Sequence, residues 1–260
     1  MCQLLGMNCN VPTDICFSFE GFSQRGGATD EHRDGWGIAF FEGKGCRSFM
    51  DILPAVHSPV ARLVQEYPIK SFNVIAHIRK ATVGRVCLEN THPFVRELWG
   101  RYWIFAHNGD LKNFKLPSLA DFCPVGETDS EKAFCLLLQQ LKDRYPAGMP
   151  TLPALYQTLR TTAAEIATYG NFNFLLSNGK HLFAHASTQL SYIVRRHPFG
   201  HAHLVDKDMT VDFREVTTER DQVAVIATAP LTDNEFWTPI PSETLVAFQD
   251  GLPLISSSHT

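Results

Sequence analysis

Short apolar runs, separated by turns rich in glycine, proline and asparagine, dominate the chain, with a few longer stretches of helical spacing between them. Residues 3–7 read as a short strand. Pro12-Thr13 reads as the opening of a helix whose apolar positions are Ile15, Phe17, Phe19 and Phe22, closed by Gly26-Gly27. Residues 34–41 form a glycine-opened apolar strand, and a turn over 42–45 returns the chain as a second strand at 46–49, a hairpin. Ser58-Pro59 combines an N-cap with a proline at the first helical position and predicts a helix to about residue 67. Residues 71–77 and 102–106 read as strands, the second running into His107-Asn108-Gly109-Asp110. Thr128-Asp129-Ser130-Glu131 fits a capping box before an apolar helix over 133–141. A second amphipathic helix over 152–169 ends at Gly170. Residues 172–176, 181–186 and 190–194 then suggest an antiparallel meander, and 222–227 and 244–248 two late strands. Without a low-complexity linker or an internal repeat, the expectation is one α+β layered domain over residues 2–251 with a C-terminal tail at 252–260.

Composition narrows the function classes. The 260 residues are 44% hydrophobic and 19% charged, which describes a globular chain with ample material for a core. A net charge of −4 gives no basic footprint for nucleic acid or an anionic membrane, so neither is an expected partner. No apolar run approaches the roughly 20 residues of a membrane span. The start, MCQLLGMNCNVPTD, has no basic segment or signal-cleavage pattern. Seven cysteines without a CxxC pair read as reduced thiols, and a cytoplasmic location is expected.

Five segments carry candidate chemistry. Cys2 has a small side chain, so removal of Met1 would leave a thiol nucleophile and a base, the α-amine, on one residue. Their ordinary pKa values, roughly 8.5 and 7.7–8.0, let the amine take the thiol proton near neutrality. Met-Cys alone reads as a start with no role, and the other segments are what overturn that. In Gln24-Arg25-Gly26-Gly27 and Asp34-Gly35-Trp36-Gly37, glycines allow positive φ or close approach to a ligand, and Arg25 could hold the N-terminal residue or a substrate. The same residues also make an ordinary helix C-cap and tight turn. Arg79, at the end of an apolar strand in His77-Ile78-Arg79-Lys80-Ala81-Thr82, needs a partner or a cleft, and its planar fork suits a carboxylate. Asn108-Gly109 offers a side-chain amide and a backbone N–H as oxyanion donors, or else a hairpin turn. Asp129 is either a first-turn helix acid or an anion for a cationic ligand group. His197, His201 and His203 lack a metal-ligand spacing and read as a solvated loop. With no GxGxxG, P-loop or HExxH pattern, neither metal nor cofactor is expected.

In their order along most of the chain, these motifs resemble the class-II glutamine amidotransferase family, closest to its stand-alone, YafJ-like bacterial members. The resemblance implies a four-layer αββα sandwich of the N-terminal-nucleophile hydrolase type. It implies Cys2 as nucleophile, with Asn108 and Gly109 holding the oxyanion. Arg79 would bind the α-carboxylate and Asp129 the α-ammonium of a glutamyl group, Thr82 would offer a hydroxyl, and Arg25-Gly26 would form a substrate-side loop. Gln24 stands where the family usually has histidine. The segment Glu89-Asn90-Thr91-His92-Pro93-Phe94 also resembles the family and is expected to shape the pocket. The implied activity is hydrolysis of glutamine or a γ-glutamyl amide through a γ-glutamyl thioester, releasing glutamate and ammonia or an amine. Two alternatives stay open: a glutaminase subunit passing ammonia to a separate synthetase or partner subunit, and an inactive glutamyl-binding protein that keeps Met1.

Overall fold

Alternation of side chains across each strand, with apolar residues on both faces, demands cover on both sides of a sheet. The computed structural model, which describes residues 2–256 apart from Val83 and Leu116, meets that demand by stacking two sheets between two helical layers. In chain order the elements are β1 (Gln3–Thr13), α1 (Cys16–Gln24), β2 (Trp36–Glu42), β3 (Gly45–Asp51), α2 (Pro59–Glu66), β4 (Ser71–Ile78), β5 (Phe94–Leu98) and β6 (Arg101–Leu111). They continue with α3 (Asp129–Arg144), α4 (Leu152–Ala167), β7 (Gly170–Ser177), β8 (Leu182–Ala186), β9 (Ser191–Arg196), β10 (His201–His203) and β11 (Thr210–Asp212). The last are β12 (Gln222–Ala227), β13 (Thr238–Pro239), β14 (Thr244–Gln249) and β15 (Leu252–Ser256).

One sheet has the order β13-β9-β12-β1-β4-β2-β3 and the other β15-β14-β8-β7-β6-β5. Three apolar clusters glue the layers together. Leu5, Met7, Val74 and Ile38 face Phe19 and Phe22 of α1 and Ala61 and Val64 of α2. Leu4, Ile75, Ile226, Ile104, Ala106 and Leu175 fill the gap between the sheets. Trp103, Phe105, Phe172 and Phe174 pack on Phe134 and Leu138 of α3 and Leu159 of α4. The result is the expected αββα sandwich.

Several local expectations are corrected. Pro12 and Thr13 belong to β1, not to a helix: the β1–β4 register shifts between Asn8 and Thr13, and such a bulge tolerates a residue with no N–H. The helix starts only at Cys16, whose N–H donates to Asp14 Oδ1 at 3.2 Å. Asn108-Gly109 is no hairpin turn. It lies within β6, opposite Asn173 and Phe172 of β7. The expected meander also breaks, because β9 leaves β8 and pairs with β12 and β13 in the other sheet. Residues 252–256, expected in a tail, pair with β14 as β15, while 257–260 lie outside the described residues. Half of the capping box forms. Thr128 Oγ1 accepts from Glu131 N at 3.3 Å, but the Glu131 carboxylate accepts from Val125 N (3.0 Å), Gly126 N (2.7 Å) and Arg96 instead of closing on Thr128.

Candidate active site

Position in β1 decides where the proposed nucleophile sits. The strand is central, between β12 and β4, and Cys2 precedes it where Gln3 pairs with Ile78. Sharing parity with Leu4, Cys2 belongs to the side of β1 that faces the inter-sheet gap. Its thiol meets both polar groups of one residue: Lys80 N donates to Sγ at 3.3 Å, and Sγ donates to Lys80 O at 3.4 Å. Burial pushes the Cys2 thiol pKa up. The Lys80 amide and the positive charge of Arg79 act against that, while the Asp129 carboxylate reinforces it. Arg79 and Asp129, widely separated in sequence, thus both act on this sulfur.

Arg79 follows β4 and is held by the glycine-bounded segment before β2. Arg79 N donates to Gly35 O at 2.9 Å, Asp34 N donates to Arg79 O at 3.2 Å, and Asp34 Oδ2 accepts from Ala81 N at 2.8 Å. Gly35 is needed there: its φ is +101°, and an added Cβ would lie 2.8 Å from Asp51 O. The Arg79 side chain is only 3% exposed and donates to Arg85 O (3.0 Å) and Gly84 O (3.3 Å), so a turn of the following loop lies on it. Asn90 ties that loop down, donating to Arg85 O at 3.1 Å and accepting from Glu127 N at 3.0 Å. Thr82 stands exposed on the bend after Ala81.

From the facing sheet come Asn108 and Gly109. Asn108 is fully buried, and its Nδ2 donates to Thr228 Oγ1 at 3.5 Å while Oδ1 has no partner among the described residues. Its carbonyl accepts from Asn173 Nδ2 at 3.0 Å. Gly109 is dictated by crowding, since a Cβ would fall 1.7 Å from Asn171 O and 2.5 Å from His107 Nε2. The neighbouring His107 locks three elements: its Nδ1 meets Ser130 Oγ at 2.8 Å, its Nε2 donates to Asn171 O at 3.0 Å, and its carbonyl accepts from His77 Nε2 at 3.1 Å across the gap. Burial lowers the His107 pKa, with Asp129 pulling the other way.

Asp129 opens α3, where a carboxylate is favoured by the helix dipole. Oδ2 accepts from Leu111 N at 2.8 Å and Oδ1 from Ser130 N at 2.9 Å, so the residue also docks the helix onto the end of β6. It borders a cleft of ≈ 510 Å³ lined by Asp110, Lys112, Asn113, Glu127 and Lys132 among others, which Cys2 and Arg79 do not line. An apolar cavity of ≈ 360 Å³ lies behind the first sheet, bounded by Phe17, Val225 and Phe213, and holds none of the candidate residues.

Arg25 is buried and engaged on several sides. It donates to Asp206 Oδ2 (2.7 Å), Ala229 O (3.0 Å), Pro230 O (2.6 Å) and Gln3 Oε1 (3.4 Å), the last on the residue next to Cys2. Gly26 packs on Ala55, where a Cβ would come within 2.5 Å of another. Sequence reasoning assigned no part to the Lys80 amide, Asp34 or Thr228. Asp34 sat inside a noticed motif, whereas nothing around Thr228 marks it. Among the described residues, no cluster of three or more potential ligands could hold a metal ion, and no helix is long and apolar enough to cross a membrane.

The profile of class-II glutamine amidotransferases matches residues 1–260. A protein of Escherichia coli (strain K12) provisionally named glutamine amidotransferase YafJ is 57% identical over 240 residues, covering 92% of this chain and 94% of its own length. A Haemophilus influenzae protein with a similar provisional name is 52% identical over 253 residues, 96% of this chain and 85% of that protein. A 2.0 Å crystal structure of a Pseudomonas aeruginosa protein, designated a glutamine amidotransferase by inference, superposes with a TM-score of 0.79 at 49% identity, covering 97% and 99% of the two chains. The glutamine phosphoribosylpyrophosphate amidotransferase of B. subtilis shares the fold at 13% identity, with a TM-score of 0.59 over 99% of this chain and 50% of that one. With its N-terminal-nucleophile hydrolase fold, the chain belongs to the class-II glutamine amidotransferase family.

Proposed function

We propose that the protein hydrolyses the side-chain amide of glutamine or of a γ-glutamyl compound, with Cys2 as nucleophile and without a metal or cofactor. One observation carries the reading: at the head of the central strand the Cys2 thiol is held by Lys80 N and O, beside the buried Arg79, and both the Arg79 cation and the Asp129 anion act on it, the charge pair a free amino-acid end needs. In the reaction, Met1 has been removed and the Cys2 amine accepts the thiol proton. The thiolate attacks the amide carbon, the oxygen takes the negative charge, and Asn108 Nδ2 with the Gly109 N–H stabilises it. Collapse expels ammonia or an amine, which leaves with the proton held by the Cys2 amine. Water then adds to the γ-glutamyl thioester, and glutamate departs as the thiol regains its proton. Arg79 would take the substrate α-carboxylate in place of the Gly84 and Arg85 carbonyls, and Asp129 the α-ammonium. Thr82 and Gly26 would contribute to the walls, and Arg25 would act through Gln3.

Met1 lies outside the described residues, so processing is tested directly. Intact mass of the purified protein should lack Met1, and turnover on a panel of γ-glutamyl amides, glutamine included, should vanish in Cys2→Ala. Full activity with Met1 retained throughout the sample overturns the mechanism.

A further inference from the structure

We propose that Thr228, just beyond β12, is the positioning residue of the oxyanion donor, a role that rests on the amidase reading above. In a regular antiparallel ladder, two paired residues exchange N–H···O=C bonds. At the Leu4–Thr228 pair only one backbone bond of that kind forms, from Thr228 N to Leu4 O at 3.1 Å. The other is replaced, as Leu4 N donates to the Thr228 hydroxyl at 2.9 Å. The hydroxyl is thereby fixed to the strand that carries the nucleophile, two residues from Cys2. Its second partner is Asn108 Nδ2 at 3.5 Å, on the opposite sheet.

Among the described residues this is the hydrogen bond of the Asn108 carboxamide, whose Oδ1 is buried and unpartnered. A buried amide with no second contact can rotate about its last bond unless one end is held. With one Nδ2 proton on Thr228, the other points in one direction only. The 3.5 Å separation is long for N–H···O, as suits a donor that tightens once charge develops on the substrate oxygen. The turn that sets Thr228 is itself braced, because Ala229 O and Pro230 O both accept from the Arg25 guanidinium. Thr228 therefore couples nucleophile strand and oxyanion donor through one oxygen. It touches neither substrate nor reacting atoms.

The test uses the full-length processed protein with L-glutamine and L-γ-glutamyl-p-nitroanilide as probes. Thr228→Val, which keeps the shape and removes the hydroxyl, should lower kcat about 10- to 100-fold with KM nearly unchanged. Thr228→Ser should restore most of the rate. In an Asn108→Ala background, Thr228→Val should cost no further activity, because the group it positions is gone. A purely structural threonine would instead impose the same loss in both backgrounds, and that result overturns the proposal. A second readout needs no turnover: the Asn108 side-chain amide signals in ¹⁵N NMR, assigned by their loss in Asn108→Ala, should shift or broaden in Thr228→Val and recover in Thr228→Ser. Unchanged amide signals overturn it as well. If Thr228→Val does not fold, Thr228→Ala replaces it in both measurements. Absence of turnover by the wild type on the whole γ-glutamyl panel would count against the amidase reading alone, leaving the NMR result to decide on the contact itself.

Discussion

Acid should destabilise this fold through histidines that the two-sheet packing keeps neutral. His77, His92 and His107 are all buried, and the tilted rings of His77 and His92 have centroids 4.2 Å apart. Burial is the main cause in each case. It lowers His77 from 6.5 to about 3, with His107 and Arg79 adding repulsion, and it drives His92 well below its ordinary value. A base whose folded pKa is depressed contributes full stability above its unfolded value, and loses it as pH falls from about 6.5 towards the folded value. At about pH 5 the unfolded chain has taken up the His77 proton and the folded chain has not, which amounts to ~2 kcal/mol for that group. His92 allows the sharpest test, since neither ring nitrogen has a partner among the described residues, and the ring lies between His77 and Phe94, the latter at 4.4 Å. His92→Phe keeps an aromatic plate there and removes a titrating group. Urea unfolding between about pH 7.5 and 4.5, with m checked for constancy, should show the slope of stability against pH reduced in the variant by up to ~1.4 kcal/mol per unit below about pH 6, with stability near neutrality retained. An unchanged slope would show that His92 takes up its proton in the folded protein, and the reasoning from burial would fail.

Other outcomes follow from the same geometry. Asn108→Ala should lower kcat by ~10²–10³ with a smaller change in KM, and an effect on KM alone would reduce Asn108 to a strand residue. Gly109→Ala drives a methyl into Asn171 O, so it should lose ~1–3 kcal/mol by urea titration together with its activity; wild-type stability would contradict the 1.7 Å approach. N-acetylation of a γ-glutamyl substrate should cut kcat/KM far more for the wild type than for Asp129→Ala, and equal penalties would leave Asp129 as a helix-end acid only. Arg79→Ala should cut kcat/KM by the ~2–5 kcal/mol typical of a buried charge pair with one partner removed, whereas a small loss spread evenly over substrates lacking the α-carboxylate would refute its role.

How much of this was legible in the sequence depends on how local each signal is. The layered fold could be read because strand and helix periods are properties of neighbouring residues, as in 71–77 and 133–141. The Pro12-Thr13 error came from one local signature with two uses, since proline without an N–H suits a helix start and a strand bulge alike. Which sheet receives β9 is decided by pairing with β12, about 30 positions further on, so no local pattern could reveal it. The candidate motifs were readable as a family pattern, yet their geometry was not: the alternative of a turn at Asn108-Gly109 stayed open because the crowding by Asn171 is invisible until β7 is in place. Thr228 was least accessible of all, since its partners lie 224 and 120 positions away.

The central place of β1 has a consequence for biosynthesis. Its neighbours are β4 and β12, so the first strand to leave the ribosome keeps one edge open until residues near 228 have been made. During that interval Cys2 has no β12 beside its strand, and nothing on that side aligns it with Asn108. A nascent or truncated chain ending before β12 would carry every motif of the first half, yet lack the strand that fixes the head of β1. Under the proposed mechanism, completion of synthesis rather than the presence of Cys2 would complete the site.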